Sequence, residues 1–183
     1  QFSGRLTAPL CAAGAVALQC LAARGGGVYA HIASIAGIKD AAVDPVSPDL
    51  PALAALAAKP LPVLDARAGE AMAQAVRDAA ADGDSVGGVV ECVVTGLPAG
   101  VGEPLYDSVE SRLAALLFAV PAVKGVEFGA GFAAAALRGS ENNDGYTASG
   151  GEVRTLSNHS GGICGGLTTG MPVVFRAAFK PTP

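Results

Sequence analysis

The chain has 183 residues, a net charge of −4, 51% hydrophobic residues and only 15% charged residues. That is the composition of a buried globular domain and excludes a disordered chain. The absence of clustered Lys and Arg argues against a nucleic-acid partner, and polar residues interrupt every apolar run before membrane-spanning length.

Thr7 followed by Pro9 reads as a helix start, a hydroxyl cap with proline in the first turn. The helix should run to about Ala23 and stop at Gly25–Gly27. It is apolar nearly all round, which predicts a buried central helix. Val28 to Ile38 reads as a strand rich in β-branched residues. The segment from Asp44 to Pro62 contains five prolines, a connecting excursion with a short helix in LPALAALA. Asp65 to Ala81 is a helix with Ala68, Met72, Ala75, Val76 and Ala79 on one face, ended by Gly83. Val86 to Thr95 is a second strand.

The next turn leads to Asp107 or Ser108 as the cap of a helix striped by Val109, Leu113, Leu116, Leu117 and Val120. Pro121 ends it. Val123 to Phe128 is a short strand, Gly131 to Leu137 a turn or two of helix, and GSENNDGY a loop. A strand in MPVVFRAAFK closes the order. This sequence of elements gives a mixed α and β domain and leaves the direction of strand pairing open.

Ser157 to Gly170, SNHSGGICGGLTTG, has five glycines and no charge. It reads either as a flexible surface loop or as a cradle whose N–H groups hold an anion. It fails the dinucleotide fingerprint at Ser160 and the P-loop at Leu167, and it leads into a strand where both motifs open a helix. His159 abuts these glycines and is a candidate ligand contact. His31, within a strand, reads as a structural histidine, and Glu141 to Asp144 as turn formers. Arg5, before a helix N-terminus, is either an anion contact or a solvated side chain. Cys11, Cys20, Cys92 and Cys164 form no CxxC pair, so no zinc site is expected and the thiols are read as free and buried.

Several stretches together resemble one family. TGLPAGVGEPLYDSVESRLAALLFAVPAVKGVEFGAGF, LRGSENND and SNHSGGICGGLTTGMPVVFRAAFKPTP closely resemble chorismate synthase. FSGRLTAPLCAAGAVA resembles the helix that follows its arginine- and serine-rich motif. The resemblance covers essentially the whole chain.

It implies an α+β fold, a β-α-β sandwich with antiparallel sheets around central helices, and a chain that is one incomplete domain (residues 1–183). It implies a lyase that converts 5-enolpyruvylshikimate 3-phosphate to chorismate and phosphate by 1,4-elimination with reduced FMN, in aromatic amino-acid biosynthesis. A cytoplasmic homotetramer, with NADP among the nucleotides associated with the family, is the corresponding expectation. Carried over by motif, Ser3, His159, Ser160, Gly165, Lys180, Pro181, Thr182 and Pro183 would contact the flavin, and Arg5 the substrate anion. Gln1, Phe2 and Leu6 depart from the usual helix-start motif, and SNHSGG from the more common NNAGG. The family's catalytic histidines fall upstream of residue 1, and a further arginine and aspartate downstream of Pro183. This chain is therefore expected to be an internal piece, inactive alone. The alternatives are a non-catalytic flavin- or anion-binding module, or a structural assembly piece.

Overall fold

In the computed structural model, residues 4–183 are described; Ser3 lies outside them. A five-stranded antiparallel sheet carries the molecule. Its strands are β1 (Gly27–Ile35), β2 (Ile38–Lys39), β3 (Gly88–Thr95), β4 (Val123–Phe128) and, last in the chain, β9 (Val173–Phe179). They lie in the order β2-β1-β3-β9-β4. The long strands are rich in β-branched and aromatic residues, which suit a pleated surface packed on both sides. Two small ribbons, β5 (Tyr146–Ser149) with β6 (Glu152–Thr155) and β7 (Ile163–Cys164) with β8 (Leu167–Thr168), stand outside it. The sandwich expected from the sequence is thus one large sheet with two ribbons, mixed with helices and antiparallel throughout.

Helices cover both faces. On one face α2 (Leu50–Leu56), started by Asp49 accepting from Ala52 N, buries Leu53 and Leu56 against Val93 and Val174. On the other, α4 (Val109–Phe118) lays Val109, Leu113 and Leu117 against Val173, Phe175 and Ile163. Ser108 caps α4 by accepting from Ser111 N at 3.0 Å. Of the expected stripe, Leu116 instead faces solvent. Between these, α3 (Ala66–Ala81) starts at the Asp65 cap, buries Met72 and contacts β1 and β2.

Four expectations are corrected. The first helix, α1 (Thr7–Ala22), buries none of its residues, so it is not a core helix here. A helix apolar all round needs neighbours on every side, and within the described chain α1 contacts chiefly the preceding turn and β1. Thr7 is its first residue rather than its cap; a 3₁₀ turn over Gly4–Leu6 leads in. As a result Cys11 and Cys20 are exposed; Cys164, on β7, is exposed too, and Cys92 is half-buried. Finally, the segment read as a loop after Leu137 holds a one-turn helix, α5 (Gly139–Asn142), and the β5–β6 hairpin.

Candidate functional site

A row of charged side chains crosses the sheet. His31 on β1 stands directly opposite Glu91 on β3, Glu91 opposite Arg176 on β9, and Arg176 opposite Glu127 on β4. Each sits in an otherwise largely apolar strand, on the face shared by Val93 and Val174. His31 Nε2 is 3.2 Å from Glu91 Oε1, and its Nδ1 is 2.9 Å from Asp40 Oδ2. Arg176 donates from Nη1 to Glu91 Oε2 at 2.9 Å, from Nε to Glu127 Oε1 at 2.6 Å, and from Nη2 to the Gly129 carbonyl at 2.6 Å. Asp40 also accepts from the backbone N–H of Leu64 and Asp65 at 2.7 and 2.8 Å.

The electrostatics follow from this pairing. Burial acts to lower the His31 pKa, but hydrogen bonds to Glu91 and Asp40, and their charges, win and raise it. Two carboxylates facing both nitrogens favour the protonated imidazole, which can donate to each. Burial would raise the Glu91 carboxyl, yet His31 and Arg176 hold it below its ordinary value. Asp40 is lowered likewise: its burial is outweighed by the Asp65 and Leu64 N–H groups and by His31. Burial and the neighbouring Glu91 push the Cys92 thiol up to about 11, leaving it unreactive.

A cavity of about 750 Å³ opens above this row. Val43, Val89, Val174 and Leu156 give apolar wall, while His31, Glu91, Arg176 and Glu127 give a polar floor. A volume of this size with a few convergent polar groups is the ordinary form of a small-molecule site.

Ser157 to His159 form one side of it. Asp144 organises that side: it accepts from Ser157 Oγ at 2.7 Å, His159 N at 2.7 Å and Ser160 N at 2.9 Å. Its burial acts against ionisation, but these donors keep its carboxyl below the ordinary value. Asn158, also buried, donates to the Pro45 and Pro172 carbonyls and accepts from Gly162 N.

The first half of the glycine-rich stretch, up to Ile163, is therefore neither of its two sequence readings. The N–H groups of His159, Ser160, Gly161, Gly162 and Ile163 all have partners within the chain, so they form no open anion cradle. Nor is it a loose loop, since Gly161, Gly162 and Ile163 are buried. A Cβ on Gly161 would meet Gly129 N at 2.4 Å, and one on Gly162 the Pro172 carbonyl oxygen at 2.4 Å. Glycine here permits backbone to lie on backbone.

The sequence-derived flavin residues do not converge within one chain. His159 lines the cavity, with Ser160 half-buried beside it. Gly165 is exposed at the β7–β8 turn, whose next residue, Gly166, abuts Glu103 and Ser108. Lys180 to Pro183 are exposed at the opposite end of β9, about 20 Å of strand away. There Lys180 N donates to the Ala122 carbonyl at 3.0 Å. Arg5 lies in the turn before α1 and does not line the cavity. His159 lines the cavity, whose wall suits a planar ligand, and Lys180 at the far end of β9 suits an anion.

Comparison with known proteins decides the family. The family described as chorismate synthase matches residues 1–183 by its sequence model. The chain belongs to the chorismate synthase family. It is 44% identical over 190 residues to a chorismate synthase of Lancefieldella parvula, covering 98% of this chain and 50% of that protein. It is 48% identical over 180 residues to that of Aeropyrum pernix, covering 98% and 47%. A crystal structure of chorismate synthase superposes with a TM-score of 0.92 at 30% identity, over 99% of this chain and 56% of that one. The chain thus spans about half the length of the chorismate synthases it matches.

The charged row and Asp144 escaped the residue-by-residue reading. The signal was present: His31, Glu91, Glu127 and Arg176 each interrupt an apolar strand, where an ionised side chain needs a partner.

Among the described residues, no helix is long and apolar enough to cross a membrane, and no group of His, Cys, Asp or Glu is placed to hold a metal.

Proposed function

We propose that this chain is the part of a chorismate synthase that builds one sheet of the enzyme and contributes ligand-contacting surfaces to it. The whole protein would convert 5-enolpyruvylshikimate 3-phosphate to chorismate and phosphate with reduced FMN, as a cytoplasmic homotetramer. The observation that carries this is the match of the family across the entire chain together with the TM-score of 0.92. When bound, reduced flavin supplies electron density transiently to the substrate without net redox change.

The chain's own contribution is placement. His159, Ser160 and Gly165 at the start of β9, and Lys180 to Pro183 at its end, are proposed as separate flavin-contacting surfaces. Arg5 is proposed for the substrate anion, and Ser3 as a further flavin contact. The His31–Glu91–Arg176–Glu127 row fixes the strand that joins the two surfaces. None of these groups is assigned proton transfer, so the isolated chain is expected to be inactive.

The test is turnover of 5-enolpyruvylshikimate 3-phosphate with reduced FMN under anaerobic conditions. Chorismate should form with a protein carrying the remainder of a family-length sequence and not with the 183-residue chain. Turnover by the chain alone refutes the assignment of the chemistry to other segments. Failure of the longer protein refutes the activity.

A further inference from the structure

Asp144 does more than shape a turn. Besides the three donors described above, its Oδ1 lies 3.3 Å from His159 Nδ1. The angle falls outside hydrogen-bond geometry, but Nδ1 is buried and has no other partner among the described residues. The His159 side chain is nevertheless 36% exposed. Its exposure therefore belongs to the rest of the side chain, and His159 lines the cavity.

A carboxylate behind one imidazole nitrogen favours the proton on that nitrogen and leaves the other as an acceptor. Asp144 is itself held: its carboxylate is tied to two consecutive N–H groups and a hydroxyl, so it cannot swing away without opening the loop.

We propose that Asp144 is a positioning residue that keeps the His159 proton on Nδ1 and presents Nε2 to the cavity as an acceptor for a ligand's hydroxyl or N–H group. This rests on the reading of His159 as a ligand contact. Asp144 touches no ligand itself.

The chain has only two histidines, so its imidazole ¹⁵N spectrum resolves both. His31, donating from both nitrogens, serves as an internal report of an intact fold. At a pH where His159 is neutral, the native chain should show His159 protonated on Nδ1 alone. Asp144→Asn should lose that single tautomer while the His31 signals stay in place. Ser157→Ala, which removes one of the donors to Asp144 but not the carboxylate, should keep it. With FMN as the probe, Asp144→Asn should bind about tenfold more weakly, the worth of one hydrogen bond. A native His159 protonated on Nε2, a tautomer unchanged in Asp144→Asn, or equal FMN affinity of the two chains overturns the inference. The expected tautomers with no FMN binding by the native chain overturn the flavin reading of His159 instead, leaving the positioning by Asp144 standing.

Discussion

Glu91 faces Arg176 directly across β3 and β9, and its Oε2 accepts from Arg176 Nη1 at 2.9 Å. The same carboxylate turns its other oxygen to His31 on the neighbouring strand. One acid thus pairs with two cations inside a sheet, and each cation answers to a second acid, Asp40 or Glu127. Charges alternate in sign along the row, so removing any member strands its neighbours.

His31 is 2% exposed, and replacing it removes the cation between Asp40 and Glu91, leaving Glu91 only its pair with Arg176. His31→Gln should therefore lower stability by about 3 kcal/mol, the low end for breaking a buried ion pair. Urea unfolding measures this. An unchanged midpoint would show that the row contributes nothing to stability.

The pH dependence has a definite sign on each side. The folded pKa of His31 is raised above 6.5, so its contribution is full below 6.5 and is lost as pH rises through the raised value. The folded pKa values of Glu91, Asp40 and Asp144 are lowered from 4.5, 3.8 and 3.8. Their contributions are present above those values and vanish as pH falls through the lowered ones. Thermal unfolding across pH should show a decline on both flanks, and the alkaline decline that begins above 6.5 should be absent from His31→Gln.

Arg176 uses three nitrogens in three directions, which a lysine ammonium on a flexible stem does not reproduce. Arg176→Lys keeps the charge yet should still cost about 1 kcal/mol, the low end of the penalty for unmet hydrogen-bonding groups, since Arg176 and Glu127 are only partly buried. Chemical denaturation of the two chains provides the comparison, and equal stability would mean that charge alone suffices.

Two glycines of the same stretch should respond differently to alanine. Gly161 has φ +64° and backbone 2.4 Å from an added Cβ, whereas Gly165 has φ +60° and open space. Gly165→Ala meets only the left-handed backbone penalty of about 1–2 kcal/mol. Gly161→Ala adds a clash with Gly129 and should lose more than about 3 kcal/mol. Melting temperatures of both variants test the order, and its reversal would contradict the packing of backbone on backbone.

Elements with a strong period were legible. The helix at Asp65–Ala81 and the strand at Val123–Phe128 emerged from apolar spacing, and cap chemistry narrowed the start of α4 to Asp107 or Ser108, of which Ser108 is the cap. The β5–β6 hairpin did not, because its strands are four residues long; the Gly150–Gly151 pair, both with positive φ, is the turn signal that marked it. The helical character of α1 was readable, but its burial was not, since burial depends on what lies alongside. For the site, His159 was found by its position in a motif. Asp144 was discounted because acids and amides in a row usually make turns, and its partners lie more than a dozen residues away in sequence.

The exposure of α1 has a consequence for how protection is distributed over the molecule. None of its sixteen residues is buried, and a helix of that length holds itself only marginally in water. Its amides should therefore exchange with solvent deuterium through local opening, long before those of β3 and β9, which open only with the whole sheet. Two exchange regimes in one short chain, separated near Gly26 where Leu21 packs over the backbone, would make α1 a unit whose order is governed by whatever lies beside it.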